Sequence, residues 1–200
     1  MVSIRKWYHS SSIMGKVKII GGEFKGRTLK VAVCKTLRPT SAKVRESLFN
    51  IIRDITSGCR FLDLYAGTGA VGLEALSRGA ERIVFVDKSA KAIEAIVSIP
   101  DFKMSGSCAA FVGDAKSVLK KLENLNETFN CIYIDPPYYS NEIENILPVI
   151  ASSKVLTADS YVILEHPSKK TLPHTVGNLI TKKQYTYGDV SLTLYEFFQD

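Results

Sequence analysis

The spacing of apolar positions changes at Gly58 and divides the chain into two textures. Ahead of it, residues 17–20 and 28–33 are short apolar-rich runs on either side of Gly21-Gly22, a pattern that predicts a small β-hairpin. Val44, Leu48, Ile51, Ile52 and Ile55 then recur at helical intervals. Residues 41–55 therefore read as an amphipathic helix, capped by Thr40 or Ser41, that flanks or covers the main domain. Beyond Gly58 the spacing predicts strands at 61–65, 82–86, 109–112, 131–134 and 161–164, with helices between them at 71–78, 90–97, 115–122 and 142–150. Such alternation builds a parallel sheet covered by helices on both faces. Residues 180–187 and 190–198 flank Gly188-Asp189 and read as an antiparallel hairpin closing one edge. The expected fold is α/β: a doubly wound, mostly parallel seven-stranded sheet with a C-terminal hairpin and a small N-terminal hairpin–helix extension.

Composition adds limits to this picture. With 46% hydrophobic and 23% charged residues among 200, the chain can bury a continuous core. No apolar run approaches the roughly 18 residues of a membrane span, so a soluble protein is expected. Cys34, Cys59, Cys108 and Cys131 contain no CxxC pair, and His9, His166 and His174 lie far apart, which argues against a zinc site. Cys59 and Cys131 open apolar runs and read as small buried hydrophobes of a reducing, cytoplasmic compartment. Residues 1–15 read as a disordered leader, 16–56 as the extension and 57–200 as the main domain. The leader's serines, Arg5 and Lys6 resemble an organellar presequence, but its low arginine content favours a disordered leader or an early start codon ahead of Met14.

Charge is distributed unevenly. Residues 1–50 hold 11 Lys+Arg against Glu23 and Glu46, a net +9, while the other 150 residues are net −3. A basic segment on a mildly acidic body is what contact with a polyanion requires, although a solvated basic surface has the same composition. Lys25, Arg27, Lys30, Arg38 and Arg45 are the candidate phosphate contacts.

Candidate chemistry sits at the ends of the first four main strands. Asp63 lies in the first main strand, and Ala66-Gly67-Thr68-Gly69-Ala70-Val71-Gly72 follows as G-x-G-x-x-G opening a helix. Glycines there let a ligand approach main-chain amides at a helix N-terminus, and a tight strand-to-helix turn would use them equally. Asp87-Lys88, about 20 residues on, ends the second strand, where a carboxylate can accept both ribose hydroxyls or cap the next helix. Asp114-Ala115 after the third strand leaves an adenine contact and a helix cap both open. A pyrophosphate cofactor and S-adenosylmethionine would each suit such a loop.

The fourth strand runs directly into Asp135-Pro136-Pro137-Tyr138, and this tetrapeptide separates the two. Asp-Pro-Pro followed by Phe or Tyr arises by chance in only about a few chains per thousand of this length. An exocyclic base amine is a poor nucleophile because its lone pair is delocalised into the ring. Asp135 would accept its hydrogens, the prolines would leave carbonyl oxygens free to face it, and Tyr138 would stack an extruded base. Methyl transfer of this kind needs no metal.

Further blocks carry a family likeness. Ile19-Ile20-Gly21-Gly22-Glu23-Phe24-Lys25-Gly26-Arg27, Leu37-Arg38-Pro39-Thr40, Val44-Arg45-Glu46-Ser47-Leu48-Phe49-Asn50 and Leu73-Glu74-Ala75-Leu76-Ser77-Arg78-Gly79-Ala80 resemble the RsmD family. These are class I, Rossmann-like S-adenosylmethionine-dependent methyltransferases of bacterial small-subunit (16S) ribosomal RNA, specific for guanine N2. The resemblance spans residues 16–198. It implies that Asp63 and Gly67 to Gly69 hold the methionine end of the donor, Asp87 the ribose, Asp114 the adenine and Asp135 to Tyr138 the target base. It also implies rRNA of an assembled or assembling subunit as partner, with a monomeric enzyme expected. Adenine-N6 methylation is the nearest alternative. A nicotinamide oxidoreductase leaves the tetrapeptide unexplained, and a non-catalytic RNA-binding module leaves Asp135 without a role.

Overall fold

The computed structural model describes residues 13–33, 40–99, 106–137 and 141–199. The leader before Ile13, Arg38 and Tyr138 lie outside these residues, as does the side chain of Lys30. In chain order the elements are β1 (Ile13–Lys18), β2 (Thr28–Val33), α1 (Ala42–Ile51), α2 (Arg53–Thr56), β3 (Arg60–Leu64), α3 (Ala70–Ser77), β4 (Arg82–Asp87) and α4 (Ala90–Val97). They continue as β5 (Cys108–Val112), α5 (Ala115–Asn124), β6 (Phe129–Ile134), α6 (Glu142–Ala151), β7 (Leu156–Pro167), β8 (Thr175–Val176), β9 (Leu179–Tyr187) and β10 (Val190–Phe197).

The main sheet runs β5-β4-β3-β6-β7-β10-β9-β8. Its first five strands are parallel, and β10 inserts antiparallel between β7 and β9. The expected doubly wound architecture is present, with eight strands instead of seven. The additional strand, Thr175–Val176, is two residues long and pairs only with the start of β9. Its brevity leaves no periodicity to read.

Side chains alternate between two hydrophobic layers, as a sheet buried on both faces demands. On one face Phe61, Ile83, Phe85, Tyr133, Ile163, Leu192 and Leu194 pack with the N-terminal elements. On the other, Leu62, Val84, Ile132, Ile134, Val162 and Leu164 pack with α5 and α6. The N-terminal extension thus shares the core: Val44, Leu48 and Phe49 of α1 are buried, and Phe49 stacks on Phe61 with ring centroids 6.3 Å apart. Ser41, rather than Thr40, caps α1 by accepting from the Val44 amide. The predicted 41–55 helix breaks at Ile52 into α1 and the four-residue α2.

The N-terminal hairpin is fixed to α3 by main chain. Ser77 O accepts from the Glu23 amide at 2.7 Å, and Ser77 Oγ accepts from the Phe24 amide and donates to Gly21 O. At Gly22, φ is +75° and an added Cβ would lie 1.8 Å from Ser77 O, so only glycine permits this approach. Beneath the hairpin, fully buried Glu74 accepts from the Ile20 amide and from Arg78 Nε, and Arg45 Nε stands 3.5 Å from it. Arg45 also donates to Lys18 O at 2.6 Å. The expectation that Arg45 contacts phosphate is therefore corrected: its side chain is 4% exposed and its charge is committed to an internal network. Burial of an arginine demands such pairing.

Candidate active site

The glycine loop joins β3 to α3, and its geometry follows from what surrounds it. Gly69 caps α3 at φ +74° and has no side chain to satisfy the first amides. Asp63 supplies that cap from the strand, its Oδ2 accepting from the Gly72 amide at 2.9 Å. An added Cβ at Gly72 would fall 2.3 Å from Phe85 Cε1, so the third glycine serves close packing of helix on sheet. Asp63 is 1% exposed, and burial pushes its carboxyl up to about 7, with the Gly72 bond opposing and Asp87 adding. Ala66, Gly67 and Thr68 are buried beneath the turn.

Asp87 ends β4 and holds the loop in place. One oxygen accepts from the Gly67 amide at 2.8 Å and the other from the Ser89 amide at 2.7 Å. Ser89, not Asp87, caps α4 through its side chain. Asp114 caps α5 through Oδ1, which accepts from Lys116 and Ser117. Both acids nevertheless face a shallow cleft bounded also by Lys88, Ala115, Pro137 and Tyr65. A nucleoside bearing a short charged tail fits the arrangement, with acids at the ends of successive strands and amides at α3.

Two residues on this cleft carried no sequence signal. Tyr65 adopts φ +63°, uncommon for a non-glycine residue, and donates through its hydroxyl to Glu142 Oε2 at 2.8 Å. Burial, and then the Glu142 bond, raise the Tyr65 hydroxyl well above the ordinary tyrosine range. The pair links the strand β3 exit to the first turn of α6.

Asp135 follows β6, beside β3, where the sequence placed the catalytic segment. Pro136 is buried, Pro137 exposed and Asp135 half-buried. Thr40 Oγ1 donates to Asp135 Oδ2 at 3.4 Å, so the start of α1 reaches the end of β6. Glu165 ends up on the adjacent strand, since Ile134 pairs with Leu164, and its carboxylate accepts from the Tyr133 hydroxyl. Burial, then Glu165 and Asp63, hold the Asp135 carboxyl well above the ordinary carboxylate range, against the bond from Thr40. From sequence Thr40 read only as a helix cap, and Tyr133 and Glu165 were not singled out, because their proximity to Asp135 depends on sheet order. Lys25 and Arg27 stand exposed on the hairpin, with the Arg27 guanidinium 4.7 Å above the Phe24 ring. Among the described residues no group of three His, Cys, Asp or Glu is placed to hold a metal ion.

Fold and site together define a class I methyltransferase, an enzyme that draws its methyl group from S-adenosylmethionine. The chain belongs to the family described as Conserved hypothetical protein 95, whose model matches residues 17–196. It is similar to YlbH of Bacillus subtilis (strain 168), provisionally named an rRNA methyltransferase, at 36% identity over 181 residues, 90% of this chain and 98% of that one. It is also similar to Ribosomal RNA small subunit methyltransferase D of Escherichia coli (strain K12), at 28% identity over 96% of this chain and 95% of the other. Among solved structures, yhhF from Escherichia coli, provisionally titled a methyltransferase, matches with a TM-score of 0.79 at 27% identity. That match covers 92% of this chain and 98% of yhhF. The resemblance to the RsmD family is borne out over the stretch on which it was read.

Proposed function

We propose that this enzyme transfers a methyl group from S-adenosylmethionine to the exocyclic N2 amine of one guanine in small-subunit ribosomal RNA. The observation that carries the reading is Asp135, delivered by β6 to the same sheet end as the glycine loop and Asp87. S-adenosylmethionine supplies a methyl already activated by its sulfonium, so the protein's contribution is alignment and a proton acceptor. Asp87 and Asp114 would hold the ribose and adenine, while Asp63, Ala66, Gly67, Thr68 and Gly69 shape the loop for the methionine end. Lys88 and Ala115 border the cleft between them.

At the target, Asp135 accepts a hydrogen from the amine and turns its lone pair toward the methyl carbon. As the nitrogen–carbon bond forms, the methyl–sulfur bond would break and its electron pair leave with sulfur as a neutral thioether, while one amine proton passes to the Asp135 carboxylate. Burial of the carboxylate, and then its crowding by Glu165 and Asp63, raises its basicity, which suits it to that acceptance. Alignment alone contributes roughly 7–11 kcal/mol in well-oriented reactions. Tyr138 is proposed to stack the base, and Lys25, Arg27, Lys30 and Arg38 to hold phosphates of the RNA. The substrate is rRNA of the assembling small subunit, and the enzyme acts in the cytoplasm as a monomer. Its test is identification of the methylated nucleoside after reaction with unmodified subunits. Labelled N2-methylguanosine supports this reading, and label in adenine contradicts it.

A further inference from the structure

A basic and aromatic stripe on β9 lies outside both the donor cleft and the N-terminal hairpin. Between His166 and Val190 the chain holds four lysines against a single acid, Asp189. Cross-strand register places Lys183 opposite Leu194, Tyr185 opposite Leu192 and Tyr187 opposite Val190. Directly opposed residues share a face of the sheet. Leu192 and Leu194 belong to the layer that includes α1, so Lys183, Tyr185 and Tyr187 lie on that face, beyond the helix. Lys183 and Gln184 are exposed, while Tyr185 and Tyr187 are half-buried, Tyr187 packing against the core layer beneath. Lys183 Nζ stands 5.0 Å from the centroid of the Tyr185 ring, and Lys182 Nζ 4.9 Å from that of Tyr161. Lys182 is also paired with Glu196, which gives it a structural role.

The stripe is aligned with the catalytic carboxylate. Ile134 pairs with Leu164, so Asp135 and Glu165 are neighbours at the next position; Glu165 pairs with Leu192, and Leu192 with Tyr185. Tyr185 thus stands in the same rung as Asp135, three strands away, or about 14 Å at the usual strand spacing of roughly 4.8 Å. Lysines on an edge strand commonly serve to block edge-to-edge pairing. That role does not require two half-buried tyrosines on one face, in line with the reacting group.

We infer that Lys183, Tyr185 and Tyr187 form a platform for the unpaired RNA segment adjoining the target nucleotide, with the tyrosines stacking bases and Lys183 meeting a phosphate. Opposite charge selects a polyanion, and flat rings three strands from Asp135 suit bases a few nucleotides away. The inference rests on RNA being the substrate.

The test uses the full chain, a fluorescently labelled RNA hairpin carrying the target loop, and Lys183→Ala combined with Tyr185→Ala. Hairpin affinity and methyl transfer are measured separately. The double variant should weaken hairpin binding by about tenfold or more, from the lost stacking and charge. It should raise KM for RNA while leaving kcat and donor affinity near wild type. Lys183→Arg with Tyr185→Phe should restore binding, which a merely misfolded surface would not allow. Unchanged hairpin affinity in the Ala variant, with wild-type methyl transfer intact, overturns the platform and spares the proposed function. Weakened hairpin binding, with no methyl transfer by either protein to unmodified small subunits, supports the platform and overturns the proposed reaction. A dimer that the Ala substitutions dissociate, with RNA affinity unchanged, would assign β9 to a second copy and overturn the inference.

Discussion

At the residue scale, three aspartates at the ends of β3, β4 and β6 perform different tasks, and their surroundings decide which. Asp63 is a buried helix cap whose carboxyl is pushed up to about 7. Because that value is above the ordinary one, the neutral form is favoured on folding. The contribution to stability is complete below about pH 4 and is lost as pH rises through about 7. Asp63→Asn should therefore match wild type near pH 4 in denaturant unfolding and exceed it at pH 8, by at most about 4 kcal/mol at roughly 1.4 kcal/mol per unit. An unchanged pH dependence would show that Asp63 stays ionised. Asp135→Ala should lower the methyl-transfer rate by about 10²–10⁴, the usual contribution of a positioned proton acceptor, and leave donor affinity intact by calorimetry. Asp87→Ala should do the reverse first: donor binding weakens as Gly67 loses its anchor. Equal loss of donor binding in both variants would merge the two sites that the geometry separates.

At the element scale, the N-terminal hairpin and α1 are parts of the enzyme's core, joined to α3 through Glu74, Arg45 and Arg78. Removing one member of a buried ion network leaves the others uncompensated, typically at a cost of about 3–5 kcal/mol. Arg45→Ala should lower unfolding stability by that order and leave the salt dependence of RNA binding unchanged, whereas a reduced salt slope would return Arg45 to the RNA surface. Legibility followed locality. Helix α4 was read to the residue because Ser89 caps it and an apolar face repeats within it. Strand β8 left no trace at two residues, and β7 extends well past its predicted core of 161–164 because Thr157 and Asp159 hide its beginning. The glycine loop and Asp135 were legible as contiguous motifs. Tyr65–Glu142 and Thr40–Asp135 were not, since their partners lie 77 and 95 residues apart. Arg45 misled for the same reason: in sequence it is one more cation in a basic segment, and only the fold brings Glu74 to it.

At the scale of the whole molecule, the charge asymmetry survives the loss of Arg45 from the surface. Lys25 and Arg27 remain exposed on the hairpin, on a chain whose remaining 150 residues are net acidic. RNA affinity should fall linearly with the logarithm of salt, and Lys25→Ala with Arg27→Ala should reduce the slope by about one to two. A salt-independent affinity would remove the hairpin from the RNA interface. The proposed function joins the cleft, Asp135 and this hairpin to one target, a base in ribosomal RNA. The decisive measurement supplies labelled S-adenosylmethionine and small subunits lacking their own modification, then digests the RNA and identifies the labelled nucleoside. The account predicts N2-methylguanosine at a single position, absent with Asp135→Ala; label in another nucleoside, or none in any RNA, would contradict it.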